Sequence, residues 1–151
     1  MPHRRLMYMS TAVGDVDDDI LFDILSVSQQ NNARNDISGL LLFGSGCFLQ
    51  VLEGPDDAVG ELYDTILSDT RHKDLVLIED ISVEEQLFGA WSMAYLREES
   101  LPPRTRRGFI DLRRTVLEEA GMGKGDPGII RLLTQSFLNA IAAMNTIEKQ
   151  A

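Results

Sequence analysis

The chain has 151 residues, with 14 lysines and arginines against 24 aspartates and glutamates, and its formal net charge is −10 at pH 7. This balance argues against a general nucleic-acid or anionic-membrane binder, because both need a cationic surface. The single cysteine, Cys47, excludes an internal disulfide framework and a thiolate metal site. With no signal-peptide core and no apolar run of spanning length, we expect a cytoplasmic protein.

The amino-terminal part of the chain predicts a strand followed by a helix. Side-chain alternation indicates a strand from Arg4 to Ser10. The aspartates from Asp15 to Asp19 mark the start of a helix that ends near Asn31, because carboxylates cap and stabilise a helix start. They lack the spacing of a metal-binding loop, so we expect no metal site. Ile24 and Ser28 share a helix face with Asn31, which fits an ordinary polar helix end or a wall against a flat ligand.

Residues 37–54 predict the centre of the sheet. Two apolar runs flank the Gly-Ser-Gly segment 44–46, which is typical of a tight hairpin turn. Apolar residues are dense on both faces, so both strands should be covered on both sides. Gln50 interrupts this pattern, and burying its amide without partners costs about 1–3 kcal/mol. A polar partner inside the fold is therefore expected, and on this strand alone a glutamine bonded to backbone is the simpler interpretation.

The order of the remaining elements predicts the fold class. A second helix begins at Gly54-Pro55 and ends near Asp69, and strands follow at Leu75–Ile81 and Trp91–Leu96. The resulting order βαββαββ is typical of an α+β, ferredoxin-like mixed sheet with two helices on one face.

A change of charge and texture near residue 97 indicates a boundary. Residues 1–96 hold 5 cationic and 17 acidic side chains, whereas residues 97–151 hold 9 and 7. We therefore expect one domain over residues 1–97 and a helical pair over residues 98–151, lying on the opposite sheet face. The second of these helices is apolar around more than one side, which favours a homo-oligomer or a partner interface. Acids are mixed among its neighbouring arginines, which argues against RNA.

Several polar and aromatic side chains are candidates for a common site, namely Tyr8, Asn31, Asn32, Gln50, Arg71, Trp91 and Met93. The chain offers no Ser/His/Asp set, no glycine-rich phosphate loop and no paired carboxylates at helical spacing, so its inventory does not suit hydrolysis. Asparagine and glutamine amides match the alternating donors and acceptors of a planar, amide-rich ring. The residues therefore favour a binding site for such a ring.

At these residues the chain resembles the BLUF domains, which sense blue light using flavin. The resemblance covers residues 4–96 and rests on RLMYMS with Tyr8, NNARNDISGLLLF with Asn31 and Asn32, CFLQVLEGP with Gln50, DTRH with Arg71, and WSM with Trp91 and Met93. The length and helical tail are similar to those of the short, stand-alone members. The resemblance implies a photoreceptor rather than an enzyme, with non-covalent FAD as the cofactor and FMN or riboflavin as possible substitutes.

The resemblance also assigns residues to the flavin. Ile24 and Ile66 would sandwich the isoalloxazine ring, and Asn31 and Asn32 would hydrogen-bond its pyrimidine edge. Arg71 would lie near the C2 carbonyl. The cofactor-binding set implied in this way is Ile24, Asn31, Asn32, Gln50, Ile66, Arg71 and His72, with His72 towards the ribityl and phosphate end.

The light switch that the resemblance implies is centred on Tyr8 and Gln50. Tyr8 would give an electron and a proton after excitation, and Gln50 would rearrange its hydrogen bonds to flavin O4 and N5, producing a red-shifted state. Ser28, Trp91 and Met93 would complete the surroundings of the glutamine. The signal would pass through the sheet to the carboxy-terminal helices and a downstream regulatory protein.

Two other functions stay open from the residues alone. One is a cofactor-free regulatory or assembly module, in which Tyr8, Gln50 and Trp91 are only core residues. The other is a small acylphosphatase-like enzyme, which needs an arginine near the first loop, and Arg71 is badly placed for that role. The colour of the purified protein separates a flavoprotein from both.

Overall fold

The computed structural model describes residues 3–88, 94–119 and 127–150, with the side chains of residues 18, 21, 22, 25, 27–29, 119 and 145–150 outside the description. The chain divides into two compact units, Met1–Leu96 and Arg97–Ala151. The first unit contains strands β1 (His3–Ala12), β2 (Ser38–Gly44), β3 (Cys47–Gly54), β4 (His72–Val83) and β5 (Ala94–Arg97, whose last residue belongs to the second unit), and helices α1 (Asp18–Arg34) and α2 (Asp56–Leu67).

The five strands form one sheet in the order β4-β1-β3-β2-β5. The neighbours β1 and β3, β1 and β4, and β2 and β3 pair antiparallel. The α+β, ferredoxin-like prediction and its element order are confirmed. β1 and β4 are longer than the sequence pattern predicts, because their pairing with each other extends from His3 opposite Val83 to Ala12 opposite His72.

Local chemistry explains where the elements start and turn. Asp17 caps α1, since its Oδ1 accepts a hydrogen bond of 2.9 Å from the backbone N of Ile20. The β2–β3 turn places Ser45 and Gly46 at φ of 50° and 73°, which a two-residue type I′ hairpin turn requires. α2 begins at Asp56 with Pro55 as its N-cap, slightly later than the start at Gly54-Pro55 that the sequence pattern predicts.

One sheet face packs against the two helices. Its buried cluster is formed by Leu6, Tyr8, Ile37, Leu41, Phe48, Leu52 and Val59, with partly buried residues such as Ile24, Leu62 and Ile66 packed against it. The prediction of two helices on one face is confirmed. The side chains that point to the other face are also buried, including Met7, Met9, Leu40, Leu42, Leu49 and Val51.

The second unit is helical. It contains a short 3₁₀ turn at Glu98–Ser100, α3 (Pro103–Arg113), a π-helical continuation at Arg114–Glu119, and α4 (Pro127–Gln150). Phe109, Leu112, Val116, Phe137, Leu138 and Ile141 are buried. Leu132 of α4 is 73% exposed, and Ile129 and Ile110 are each about half exposed. The placement of this unit on the sheet stays a prediction.

Candidate functional site

The register of the central strands brings the two residues of the predicted switch together. Tyr8 of β1 and Leu41 of β2 both lie opposite Gln50 of β3. Residues opposite each other in an antiparallel pair share a sheet face, so all three point towards α1 and α2. The polar partner that the buried Gln50 requires is therefore a side chain from the neighbouring strand.

Tyr8 donates a hydrogen bond from its Oη to Oε1 of Gln50. Tyr8 is 4% exposed and Gln50 is 6% exposed, so bulk water does not compete for the bond. Burial raises the pKa of the Tyr8 phenol well above its ordinary value, and the negative charge of Asp69 raises it further. The phenol is therefore neutral and holds its proton towards the amide oxygen.

The hydrogen-bonded pair lines a cavity of about 260 Å³ between the sheet and the two helices. Its walls are made by Tyr8, Asp23, Ile24, Asn31, Asn32, Leu41, Phe48, Gln50, Leu62, Thr65, Ile66, Asp69, Arg71 and His72. Ile24 of α1 and Ile66 of α2 supply apolar contact, while Asn31 and Asn32 bring amides at the end of α1. The result is an apolar cleft with a few polar groups in its lining, the usual composition of a small-molecule site.

A charged pair stands at one side of this cavity. Nε of Arg71 donates to Oδ1 of Asp69 at 2.9 Å, and the backbone N of Arg71 donates to the same oxygen at 2.9 Å. The hydrogen bond from Arg71 lowers the pKa of the Asp69 carboxyl. The Arg71 side chain is 48% exposed, so its guanidinium lies at the border between cavity and solvent.

His72 lines the cavity but uses both ring nitrogens within the protein. Nε2 lies 2.8 Å from the carbonyl oxygen of Ile66, and Nδ1 lies 2.7 Å from Oγ of Ser10. A carbonyl oxygen only accepts, so Nε2 is the donor and, in the neutral ring, Nδ1 accepts from the serine. His72 thus ties β1, β4 and the end of α2 together around the cavity.

Most of the residues selected from the sequence meet at this cavity. Tyr8, Ile24, Asn31, Asn32, Gln50, Ile66, Arg71 and His72 all line it. Trp91 and Met93 lie outside the described residues, and so does the side chain of Ser28, whose backbone belongs to α1. The roles of all these residues towards a ligand stay predictions.

Sequence reasoning missed Asp23, Leu41, Phe48, Leu62, Thr65 and Asp69 as lining residues. For Phe48 a signal was present, since period two places it on the face of Gln50. Asp69 lies beyond the end of α2 at Leu67, so helix spacing gave no signal for it. Among the described residues, no group of His, Cys, Asp or Glu suits a metal ion, and no helix is long and apolar enough to cross a membrane.

Comparison with known proteins supports the same interpretation. The family model described as "BLUF: Sensors of blue-light using FAD" matches residues 4–94. Photoactivated adenylate cyclase subunit beta of Euglena longa is 36% identical over 97 residues, which make up 64% of this chain and 11% of that protein. The blue light- and temperature-regulated antirepressor BluF of Escherichia coli strain K12 is 37% identical over 54 residues, 36% of this chain and 13% of that protein.

Solved structures extend the similarity beyond the sensor segment. The dark-state structure of BlrB, a BLUF protein, has a TM-score of 0.73 and 28% identity, and covers 95% of this chain and 97% of that one. A bacterial light-regulated adenylyl cyclase gives the same TM-score of 0.73 at 25% identity, with 88% of this chain and 39% of that chain covered. The present chain spans about a tenth of the length of the curated cyclase subunit that it matches.

These findings decide between the functions that the residues alone leave open. The family model covers more than half of the chain and contains the whole cavity, so a cofactor-free module and an acylphosphatase-like enzyme are set aside. The matched region is a sensor and not an enzyme. The chain therefore belongs to the BLUF family of photoreceptors, which sense blue light with a bound flavin.

Proposed function

We propose that the cavity holds FAD non-covalently and that the Tyr8–Gln50 pair is its light-operated switch. The observation that carries the proposal is the buried hydrogen bond from Tyr8 to Gln50 on the cavity wall. A phenol bonded to an amide with two different ends, on the wall of an apolar cleft, allows two alternative hydrogen-bond patterns. FAD is preferred because the family description names it.

The chemistry of the lining fits a flavin ring. Ile24 and Ile66 would contact the two faces of the isoalloxazine, and Asn31 and Asn32 would supply amide donors and acceptors to its pyrimidine edge. Asn32 is 1% exposed, so its amide belongs to the interior of the site. The cavity of about 260 Å³ is near the lower limit for ligand pockets, which suits the ring rather than the whole dinucleotide.

The remaining part of the cofactor would then extend towards solvent. Arg71, half exposed at the border of the cavity, would lie near the C2 carbonyl, with Asp69 fixing its guanidinium. Both nitrogens of His72 are engaged by Ser10 and Ile66, so we propose that His72 contributes a ring surface on the ribityl side rather than a hydrogen bond.

Flavin, when bound and excited by blue light, supplies an acceptor for one electron and one proton. The residues of this chain do the rest. Tyr8 holds the proton at Oη and Gln50 receives that hydrogen bond at Oε1, so the amide is placed to take the proton from the phenol. Rearrangement of the Gln50 amide exchanges its donor and acceptor ends, which changes the hydrogen bonds it offers to the cavity.

Ser28, Trp91 and Met93 are proposed to complete the surroundings of Gln50. The signal would then pass to the helices of residues 98–151 and to a downstream protein. Relatives named as light-regulated cyclases and as an antirepressor are consistent with such an output. The exposed apolar residues Ile129 and Leu132 support the further proposal of a homo-oligomer. The single cysteine of the chain, Cys47, is buried, which supports the proposal of a reducing cytoplasm as the protein's location.

Difference spectroscopy tests the switch. Blue light should shift the absorption of the flavin-loaded chain reversibly to the red, and Tyr8→Phe and Gln50→Leu should each abolish the shift while flavin stays bound. Tyr63→Phe is the matched control, because its ring lies 6.4 Å from that of Tyr8 without belonging to the pair. A normal photocycle in Tyr8→Phe or Gln50→Leu would refute the assignment.

A further inference from the structure

Glu53 is a buried carboxylate that the flavin site does not use. It lies on β3 and is 0% exposed. Its Oε1 accepts a hydrogen bond of 2.7 Å from the backbone N of Phe88, and its Oε2 accepts one of 3.0 Å from the backbone N of Leu87. Both oxygens of one side chain therefore hold two consecutive residues that are 34 and 35 positions away in the chain.

Ion pairs centred on Arg5 hold Glu53 in place. Arg5 lies opposite Glu53 in the β1–β3 pairing, and its Nη1 is 3.6 Å from Oε2 of Glu53. Nε of Arg5 donates to Oε1 of Glu79 at 2.8 Å. Arg5 is itself only 7% exposed. A buried carboxylate is tolerated when it is paired and hydrogen-bonded, and Glu53 meets both conditions.

Glu53 also lies between the switch and the segment that follows β4. It comes three residues after Gln50 on the same strand, about 10 Å away at roughly 3.3 Å per residue. β3 is the middle strand of the five. Leu87 and Phe88 come immediately before residues 89–93, and β5, the neighbour of β2, begins directly after them. The two residues that precede position 89 are thus hydrogen-bonded to the strand that carries Gln50.

We propose that Glu53 is a positioning residue of the light switch, which couples movement of β3 at Gln50 to the chain at Leu87 and Phe88. One carboxylate accepts both hydrogen bonds, which fixes the distance and the orientation of this chain segment. A displacement of β3 must then carry residues 87–88 with it or break these bonds. The proposal rests on the proposed function of Tyr8 and Gln50, since they supply the displacement.

The single tryptophan of the chain, Trp91, provides a site-specific readout three residues after Phe88. The full-length, flavin-loaded protein labelled with 5-fluorotryptophan should give one fluorine NMR resonance that moves under blue light. Glu53→Gln replaces one acceptor oxygen by an NH₂ group, so one of the two backbone N–H groups loses its partner. This variant should keep the red shift of the flavin, while the light-induced displacement of the Trp91 resonance is at least halved.

Glu79→Gln is the matched control, because Glu79 also pairs with Arg5, whereas the backbone N–H groups of residues 87 and 88 donate to Glu53. It should retain the full displacement. Glu53→Asp keeps the charge beside Arg5 but withdraws the carboxylate by one methylene, so it should show the same loss and serves if Glu53→Gln does not fold.

Three outcomes for the Trp91 resonance would overturn the coupling role of Glu53. They are an undiminished displacement in both Glu53 variants, a resonance that light does not move in the wild type, and an equal loss in Glu79→Gln. Loss of the flavin red shift in a folded Glu53 variant also contradicts it, because Glu53 would then act on the photochemistry. Absence of the red shift in the wild-type protein instead refutes the proposed function, which keeps the two failures apart.

Discussion

Removing the phenol oxygen of the switch should have a measurable effect on stability. Tyr8→Phe deletes the donor that Oε1 of Gln50 accepts from, and Gln50 is 6% exposed, so water cannot replace the lost bond. Leaving a buried acceptor unsatisfied costs about 1–3 kcal/mol. At about 2–4 °C per kcal/mol for a chain of this size, the midpoint of thermal unfolding should fall by roughly 2–12 °C.

A double-mutant cycle on the flavin-loaded protein in the dark isolates the bond. Gln50→Leu should destabilise the protein by a similar amount, because the buried Tyr8 hydroxyl then loses its hydrogen-bond acceptor. The loss of unfolding free energy in the double variant should be smaller than the sum of the two single losses by at least about 1 kcal/mol. The reason is that the double variant removes both partners together. Tyr63→Phe should change the free energy of unfolding by less than about 0.5 kcal/mol. Strict additivity of the two single variants would show that Tyr8 and Gln50 are not coupled.

Three further predictions concern binding, pH and the tail. Asn32→Ala should weaken flavin binding by about 1–3 kcal/mol in a fluorescence titration, whereas Asn35→Ala, at the exposed end of α1, should leave the affinity unchanged. Arg71 lowers the pKa of Asp69, so their pair stabilises the fold above about pH 4 and loses this effect as the pH falls through the lowered pKa. Asp69→Asn should be less stable than wild type near neutral pH, and the difference between the two acid-unfolding curves should disappear once the pH lies below the lowered pKa. Truncation after Arg97 should leave a photoactive, flavin-binding core with a smaller oligomer by light scattering, and an unchanged subunit number would contradict a role of residues 98–151 in assembly.

The parts of the fold that depend on neighbouring residues are visible in the sequence. The Gly-Ser-Gly segment predicts the β2–β3 turn because Ser45 and Gly46 both need positive φ. The aspartate before α1 predicts the helix start because Asp17 caps it. The ends of β1 and β4 are different, because they are set by pairing between residues about 60 to 80 positions apart, such as His3 with Val83. No local pattern contains that information.

The same distinction holds for the site. Gln50 stands out locally as a polar residue in an apolar strand, and the sequence resemblance supplies the names of its companions. The contributions of Asp23, Thr65 and Asp69 to the cavity depend on how α1 and α2 are rotated above the sheet, which their own sequences leave undetermined. The contact between Glu53 and Phe88 likewise depends on tertiary packing, and no sequence pattern near Glu53 predicts it.

The burial of Tyr8 determines how its hydrogen bond to Gln50 responds to the pH of the solution. Because burial raises the pKa of its phenol well above the ordinary value, Tyr8 keeps the proton of its bond to Gln50 even in alkaline solution that would ionise an exposed tyrosine. The proton faces Gln50 and not bulk water, so its movement is confined to the interior of the molecule. Photochemistry in the proposed switch should therefore start from the same protonated Tyr8–Gln50 pair over a wide range of solution pH.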